Sequence, residues 1–372
     1  MNRNTLSLGR ILGIPIGLDY SWFLIFALLT WALATGYYPN EFTGQPTQYW
    51  ILGAATVILL FASVVLHELG HSVVARRYKV SVHSITLFVF GGVARIETAL
   101  PSAKAEFWIA LAGPVVSFIL AIFFGMLESL AGALAPLLAL FKYLAYVNGT
   151  LALFNLIPGF PLDGGRIFRA FVWAITHNLR RATLIAASLG RFIAYSLIFL
   201  GVWQMFTGNF VNGLWIAFIG WFLESAAVSE VRQQTFQDLI AGHQVAAAMR
   251  RDYTVVDSGD TLEQLVNEHI LGAGRRSLIV AQNDQVMGLL TLRDLKEIPR
   301  TDWAATTAAQ AMIPVERMRR IQPDTELKDA LREMDRDGVN QLPVMVGDQL
   351  QGVLGRDDVI SLLRTIAEFN RQ

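Results

Sequence analysis

The chain has no cysteine among its 372 residues, which excludes disulfides and thiolate metal sites without naming a compartment. It has no excess of either charge. With 30 Lys/Arg against 30 Asp/Glu it lacks the basic balance that a nucleic-acid partner calls for. Charge is also scarce, at 16% of residues against 53% apolar, and the scarcity is uneven. Residues 1–230 hold 13 Lys/Arg and 9 Asp/Glu, whereas the shorter stretch 231–372 holds 17 and 21. The first part reads as a membrane domain and the second as a soluble one.

Six apolar stretches, near 21–36, 51–75, 105–127, 134–157, 186–207 and 211–229, each approach the ~20 residues needed to cross a bilayer. They predict a polytopic bundle of about six helices. Lys and Arg gather in alternate connections: Arg3 and Arg10; Arg76, Arg77, Lys79, Arg95 and Lys104; Arg166, Arg169, Arg180 and Arg181. By the positive-inside rule both termini and the soluble domain face the cytoplasm of a cell (plasma or inner) membrane. A rival reading makes Trp22 to Leu33, with "ALA" at 32–34, a cleavable leader. The twenty-residue lead before it, with Gly9, Gly13, Pro15 and Gly17, is long and structured for that purpose.

Within the second stretch, "VVLHELGHSVVARR" (Val64–Arg77) sets two histidines and a glutamate in lipid-like surroundings. On a helix His67 and His71 lie one turn apart on one face, and Glu68 stands about 100° round from His67. Two imidazoles so placed can bind one Zn²⁺, and the carboxylate between them can take a proton from water. The plain alternative is a buried pair bonded to neighbouring helices. Ionisable residues inside a membrane are costly and mark function, which favours the metal. Gly70 leaves space beside His71 for another backbone or a substrate.

Catalytic zinc commonly takes three protein ligands and keeps one position for water. The third should lie near the depth of His67, roughly 13 Å inward of Arg76 at 1.5 Å per residue. The end of the fourth stretch, "FNLIPGFPLDGGR" (Phe154–Arg166), has Pro158, Gly159 and Pro161 to break the helix. Asp163 either enters the bundle there as the third ligand or caps the segment 164–176. Further along, Gly113-Pro114 marks a kink in the third stretch, with packing as its reason. The apolar, β-branched "SITLFVFGGVARIE" (84–97) reads as a short membrane-dipping β-hairpin. Its edge offers a place for a substrate to add as a strand, beside the plain reading of a structural hairpin. His83 and His177 read as surface residues.

H-E-x-x-H as His67-Glu68-Leu69-Gly70-His71, followed by Asn155-Leu156-Ile157-Pro158 and Leu162-Asp163-Gly164, resembles the site-2 proteases, a family of intramembrane zinc metallopeptidases. The resemblance runs from "GIPIGLDYSW" (13–22) through the sixth stretch. It implies one zinc per chain held by His67, His71 and Asp163, with Glu68 as general base. Asn155 would help hold the substrate or the oxyanion. The implied reaction is hydrolysis of peptide bonds in or near transmembrane segments of membrane-protein substrates.

Residues 231–244 lose apolar density and read as a helical linker. Beyond them "DTLEQL" (260–265) is echoed by "DTELKDAL" (324–331), and "GLLTLRDL" (288–295) by "GVLGRDDVI" (352–360), with Gly288 and Gly352 64 positions apart. Each unit alternates helices with short apolar strands. This resembles an α/β tandem pair of CBS domains, here 245–299 and 300–372 behind a membrane domain at 1–230. The resemblance implies a homodimer through that module and an adenosine nucleotide, ATP, ADP or AMP, in its clefts. In G-x-x-T-x-x-D the Thr and Asp grip the ribose. The first repeat keeps them as Thr291 and Asp294, whereas the second has Gly355 ahead of Asp358. A module used purely for dimerisation is the plain alternative.

Two functions fit such an organisation: a protease regulated by the module, and a transporter or channel gated by it. Glu68 between the histidines, with Leu-Asp-Gly downstream, favours the protease, since transport has no need of either.

Overall fold

The structure, a computed structural model, describes residues 5–88, 91–96, 101–132, 134–283, 285–347 and 349–369. Two compact units divide it, Met1–Gln234 and Thr235–Gln372.

In the first unit a lead hairpin, β1 (Thr5–Ile11) and β2 (Ile14–Asp19), precedes helix α1 (Ser21–Glu41), whose start is fixed by Asp19 Oδ1 accepting the Ser21 N–H at 2.9 Å. Helix α2 (Pro46–Arg77) opens on a proline, as first helical turns tolerate, and carries Arg76 and Arg77 in its last turn, where cations suit the exposed carbonyls. Strands β3 (Val82–Phe88) and β4 (Gly91–Ile96) follow, then α3 (Ala103–Leu130), α4 (Ala135–Asn155), α5 (Asp163–Thr176), α6 (Leu179–Phe206) and α7 (Phe210–Ile240). Among the described residues six helices are long and apolar enough to span a bilayer: all of these except α5. The chain is a multi-pass membrane protein. Its outward surface is apolar, with Phe192, Phe199, Trp203 and Trp215 exposed, whereas Ala186, Ala187 and Ala194 of α6 are buried. Small residues inside and large ones towards lipid is how membrane helices approach one another closely.

The expected hairpin forms across β3 and β4, with Leu87 opposite Gly92; residues 89–90 and 97 of that reading, and Arg3 of the charge pattern, lie outside the described residues. It joins the lead in one four-stranded sheet, β1-β2-β3-β4, in which β2 and β3 run parallel with Ile16 beside Ile85. One side of β3 is therefore already taken, and β4 is an outer strand of the sheet against α2.

In the second unit β5 (Val255–Asp257), β6 (Ser277–Gln282), β7 (Gln285–Thr291) and β8 (Ile313–Pro314) form one sheet in that order. Helix α8 (Leu327–Asp337), strands β9 (Gln341–Val346) and β10 (Gln349–Gly355) and helix α9 (Arg356–Phe369) repeat the pattern. Ile240, the last residue of α7, is buried with Val245, Ala248, Leu327 and Val344, so the lead-in to the first repeat packs in the core of the second. The segment read as a helical linker is helical as far as Ile240 and continuous with the sixth span.

Candidate metal centre

His67 and His71 sit on one face of α2, 5% and 4% exposed. Across from them the fourth span stops at Asn155, and the turn that follows delivers Asp163 as the first residue of α5. Gly164 and Gly165 make that delivery possible, since a side chain at Gly164 would collide with the carbonyls of Leu156 and Ile157, and one at Gly165 would stand 2.5 Å from the Phe160 nitrogen. Among the described residues the Asp163 carboxylate engages the two imidazoles. Its Oδ2 lies 3.2 Å from Nε2 of His67 and 3.2 Å from Nε2 of His71, and the two Nε2 atoms are 3.2 Å apart. The carboxylate of Asp163 is thus turned towards the two imidazoles.

Helix α3 aims the imidazoles. His71 Nδ1 lies 2.6 Å from the carbonyl of Ile109, which can only accept, so the ring proton is on Nδ1 and the Nε2 lone pair faces inward. Pro114 has no N–H to donate to the carbonyl of Ala110, four residues back on the same helix. His67 Nδ1 lies 2.8 Å from Ser117 Oγ, leaving its Nε2 inward as well. Two nitrogens and a carboxylate oxygen crowded with lone pairs towards one point repel each other unless a cation lies between them.

The spacing suits zinc. Ligand bonds of about 2.0–2.1 Å in a tetrahedral shell put donor atoms roughly 3.3–3.4 Å apart, within about 0.2 Å of the triangle here. Three protein donors leave the fourth position open.

Sequence reasoning missed Gly113. The sequence marks it only as part of a packing kink, yet a Cβ there would stand 2.6 Å from His67 Nε2 and closer still to His71 Nε2. The absent side chain is what leaves the donor triangle uncovered. Gly70 likewise meets the carbonyl of Ala112, 3.0 Å from where its Cβ would be, so the space beside His71 is filled by the backbone of α3. The i, i+4 spacing of His67 and His71 pointed to neither contact, because both depend on which helix packs against that face.

Glu68 is half-buried, and its Cγ would stand 2.9 Å from a Cβ placed on Gly92 of β4, so it packs close to the bare backbone there. Asn155 ends α4 half-buried, and among the described residues no hydrogen bond engages its amide. His83 and His177 are exposed, away from the three donors.

In the second unit a cavity of about 610 Å³ opens between the repeats, lined by Thr291, Asp294, Gly355 and Asp358 and by several arginines. Asp294 Oδ2 accepts from Thr291 N–H at 2.8 Å and from its hydroxyl at 2.7 Å. Asp358 accepts from Gly355 N–H at 3.0 Å and is paired with Arg250. All three predicted nucleotide residues line one cavity, but the two carboxylates have different partners.

The model of peptidase family M50 matches residues 55–132 and 125–198, and the CBS domain model matches 245–300 and 312–365. Rip3 of Mycobacterium tuberculosis, which bears a zinc metalloprotease name, is 37% identical over 367 residues, 97% of this chain and 93% of that protein. Zinc metalloprotease MJ0392 of Methanocaldococcus jannaschii is 27% identical over 96% of this chain and 95% of its own. A solved site-2 protease from Methanocaldococcus jannaschii covers 61% of this chain and 95% of itself at 33% identity, with a TM-score of 0.45. Likeness of this extent, running through both units, makes the chain a member of the site-2 protease family of zinc metalloproteases, peptidase family M50, with a pair of CBS domains.

Proposed function

We propose that this protein carries out regulated intramembrane proteolysis, cutting membrane-protein substrates in or near their transmembrane segments. The observation that carries the reading is the 3.2 Å triangle of His67, His71 and Asp163 within a membrane-spanning unit. These three residues hold one zinc per chain. Bound there, the metal supplies Lewis acidity towards a peptide carbonyl and acidifies water. Family membership leaves the transporter or channel reading without support.

The chain's own residues do the rest. Glu68 accepts the proton of the attacking water and passes it to the leaving amine. Asn155, at the end of α4, steadies the substrate backbone or the developing oxyanion. Peptide bonds in a helix are shielded by their own hydrogen bonds, so the substrate enters unwound. It adds as a strand along β4, the hairpin dipping into the membrane beside Glu68.

The catalytic unit spans 1–230, the connection 231–244, and the CBS repeats 245–299 and 300–372, with both termini and the repeats cytoplasmic by the positive-inside pattern. The repeats dimerise the chain and take about one adenosine nucleotide, ATP, ADP or AMP, through Thr291 and Asp294, with Asp358 in a lesser part. Its binding alters cleavage by favouring one arrangement of the repeats over another, and the connection carries that difference to the sixth span.

The test compares membrane-protein fragments, identified by their new N-termini, from cells with wild-type protein and with Glu68→Gln. Cuts in or beside spans that need Glu68 are expected. A wild-type fragment set identical to that of the variant would sink the reading.

A further inference from the structure

Away from the donors, the first unit buries a second set of charges that the chemistry above does not use. Glu106, in the first turn of α3, is fully buried, and Arg169 of α5 is 7% exposed. Arg169 Nε donates to Glu106 Oε1 at 2.6 Å, and its Nη2 pairs with the same oxygen. Its Nη1 donates to Glu230 of α7 at 3.2 Å, and its guanidinium lies 4.9 Å over the ring of Phe160. Phe160 in turn packs with Ala227 and Val231, the residues flanking Glu230 on α7.

Stability alone accounts poorly for this cluster. Buried ion pairs often contribute no more than an apolar replacement of similar volume. Here Glu106 Oε2 is also buried without a hydrogen-bond partner among the described residues, an added cost. What the cluster does fix is register. Arg169 is six residues along α5 from Asp163, and Glu106 is two turns along α3 from Gly113, which backs the histidines. A planar guanidinium gripping both α3 and α7 sets the rotation and height of α5, and with it where the Asp163 carboxylate stands relative to His67 and His71.

We infer that Arg169 is the positioning residue of the metal centre, holding Asp163 in place through Glu106 on α3 and making that placement responsive to α7 through Glu230. The inference rests on the reading of His67, His71 and Asp163 as metal ligands.

Metal-free full-length protein in detergent micelles, titrated with Co²⁺, tests it, because the visible absorption of bound cobalt reports both affinity and ligand geometry. Arg169→Met should bind Co²⁺ about 10- to 100-fold more weakly with an altered band, as loss of an outer support does to metal sites. Arg169→Lys keeps the charge but not the fork, and should recover only part of the affinity. Glu230→Gln changes a side chain that is 37% exposed and should cost about two- to fivefold. Wild-type affinity and band in folded Arg169→Met would overturn the inference. If that variant does not fold, unchanged binding by Glu230→Gln overturns it. No cobalt uptake by wild type would remove the metal centre itself and this inference with it, whereas equal uptake by all the proteins removes the inference alone.

Discussion

The carbonyl of Ile109 takes the Nδ1 proton of His71 at 2.6 Å, so one main-chain group on α3 decides which face of an imidazole on α2 looks towards the metal position. The same helix supplies Ser117 to His67 and the bare backbone of Gly113 behind both rings. The third span is as much a part of this cluster as the helix that carries the two histidines.

Gly113→Ala should therefore empty the site. A methyl there meets both Nε2 atoms, and the rings must turn away from their donors. Gly125, on the same helix, has nothing within 4 Å of a built Cβ, which makes Gly125→Ala the control. Metal analysis after dialysis should find zinc in the control and little in Gly113→Ala, with both proteins folded by circular dichroism. Full zinc in folded Gly113→Ala would contradict the geometry.

Glu68→Gln keeps both histidines and the size of the side chain, so zinc should stay near one per chain. Proton transfer is lost, and cleavage should drop by about 10² to 10⁴. The check is cleavage of a labelled transmembrane peptide in detergent micelles beside a zinc determination on the same preparation. Retained cleavage in clean Glu68→Gln protein would end its assignment as the base.

Asp163→Ala removes one donor and leaves two imidazoles. Zinc should fall together with activity, measured by competition against a chelating dye. Zinc binding equal to wild type would mean that another residue completes the shell.

Asp294→Ala should weaken ATP, ADP or AMP binding about tenfold to a hundredfold, since a carboxylate accepting from ribose hydroxyls is worth about 1.5–3 kcal/mol. Asp358→Ala should matter less, because that carboxylate is paired with Arg250 and has Gly355 where the first repeat has Thr291. Calorimetry on the full chain decides it. An absence of heat with all three nucleotides up to millimolar concentration would leave the repeats as a dimerisation device.

Much of this was legible in the residues. Six apolar runs gave six spans, because in lipid a helix must satisfy its own backbone, and length alone then marks it. His67 and His71 were legible because four residues is one turn. Asp163 was half legible: broken backbone announced a turn at depth, but cap and ligand look alike until the direction of the carboxylate is known. Gly113, Ser117 and Ile109 were not legible as site residues, since a glycine, a serine and a main-chain carbonyl acquire their roles only through the packing of α3 on α2. Arg169 and Glu106 were hidden for a similar reason. Arg169 counted as one of several flank arginines, and its partner lies 63 positions away. The parallel pairing of β2 with β3 was equally out of reach, as nothing local in "GIPIGLDYSW" says that it lies beside 85–87.

The donors lie 96 positions apart along the chain, from His67 to Asp163. At roughly 5 to 20 residues per second of synthesis, about 5 to 20 s separate the emergence of the first ligand from that of the last. During that interval the histidine-bearing helix enters the bilayer among other nascent segments without the third donor. A cluster whose last member follows the fourth span cannot assemble before that span has been made, so the order of residues along the chain sets the order in which its parts come together.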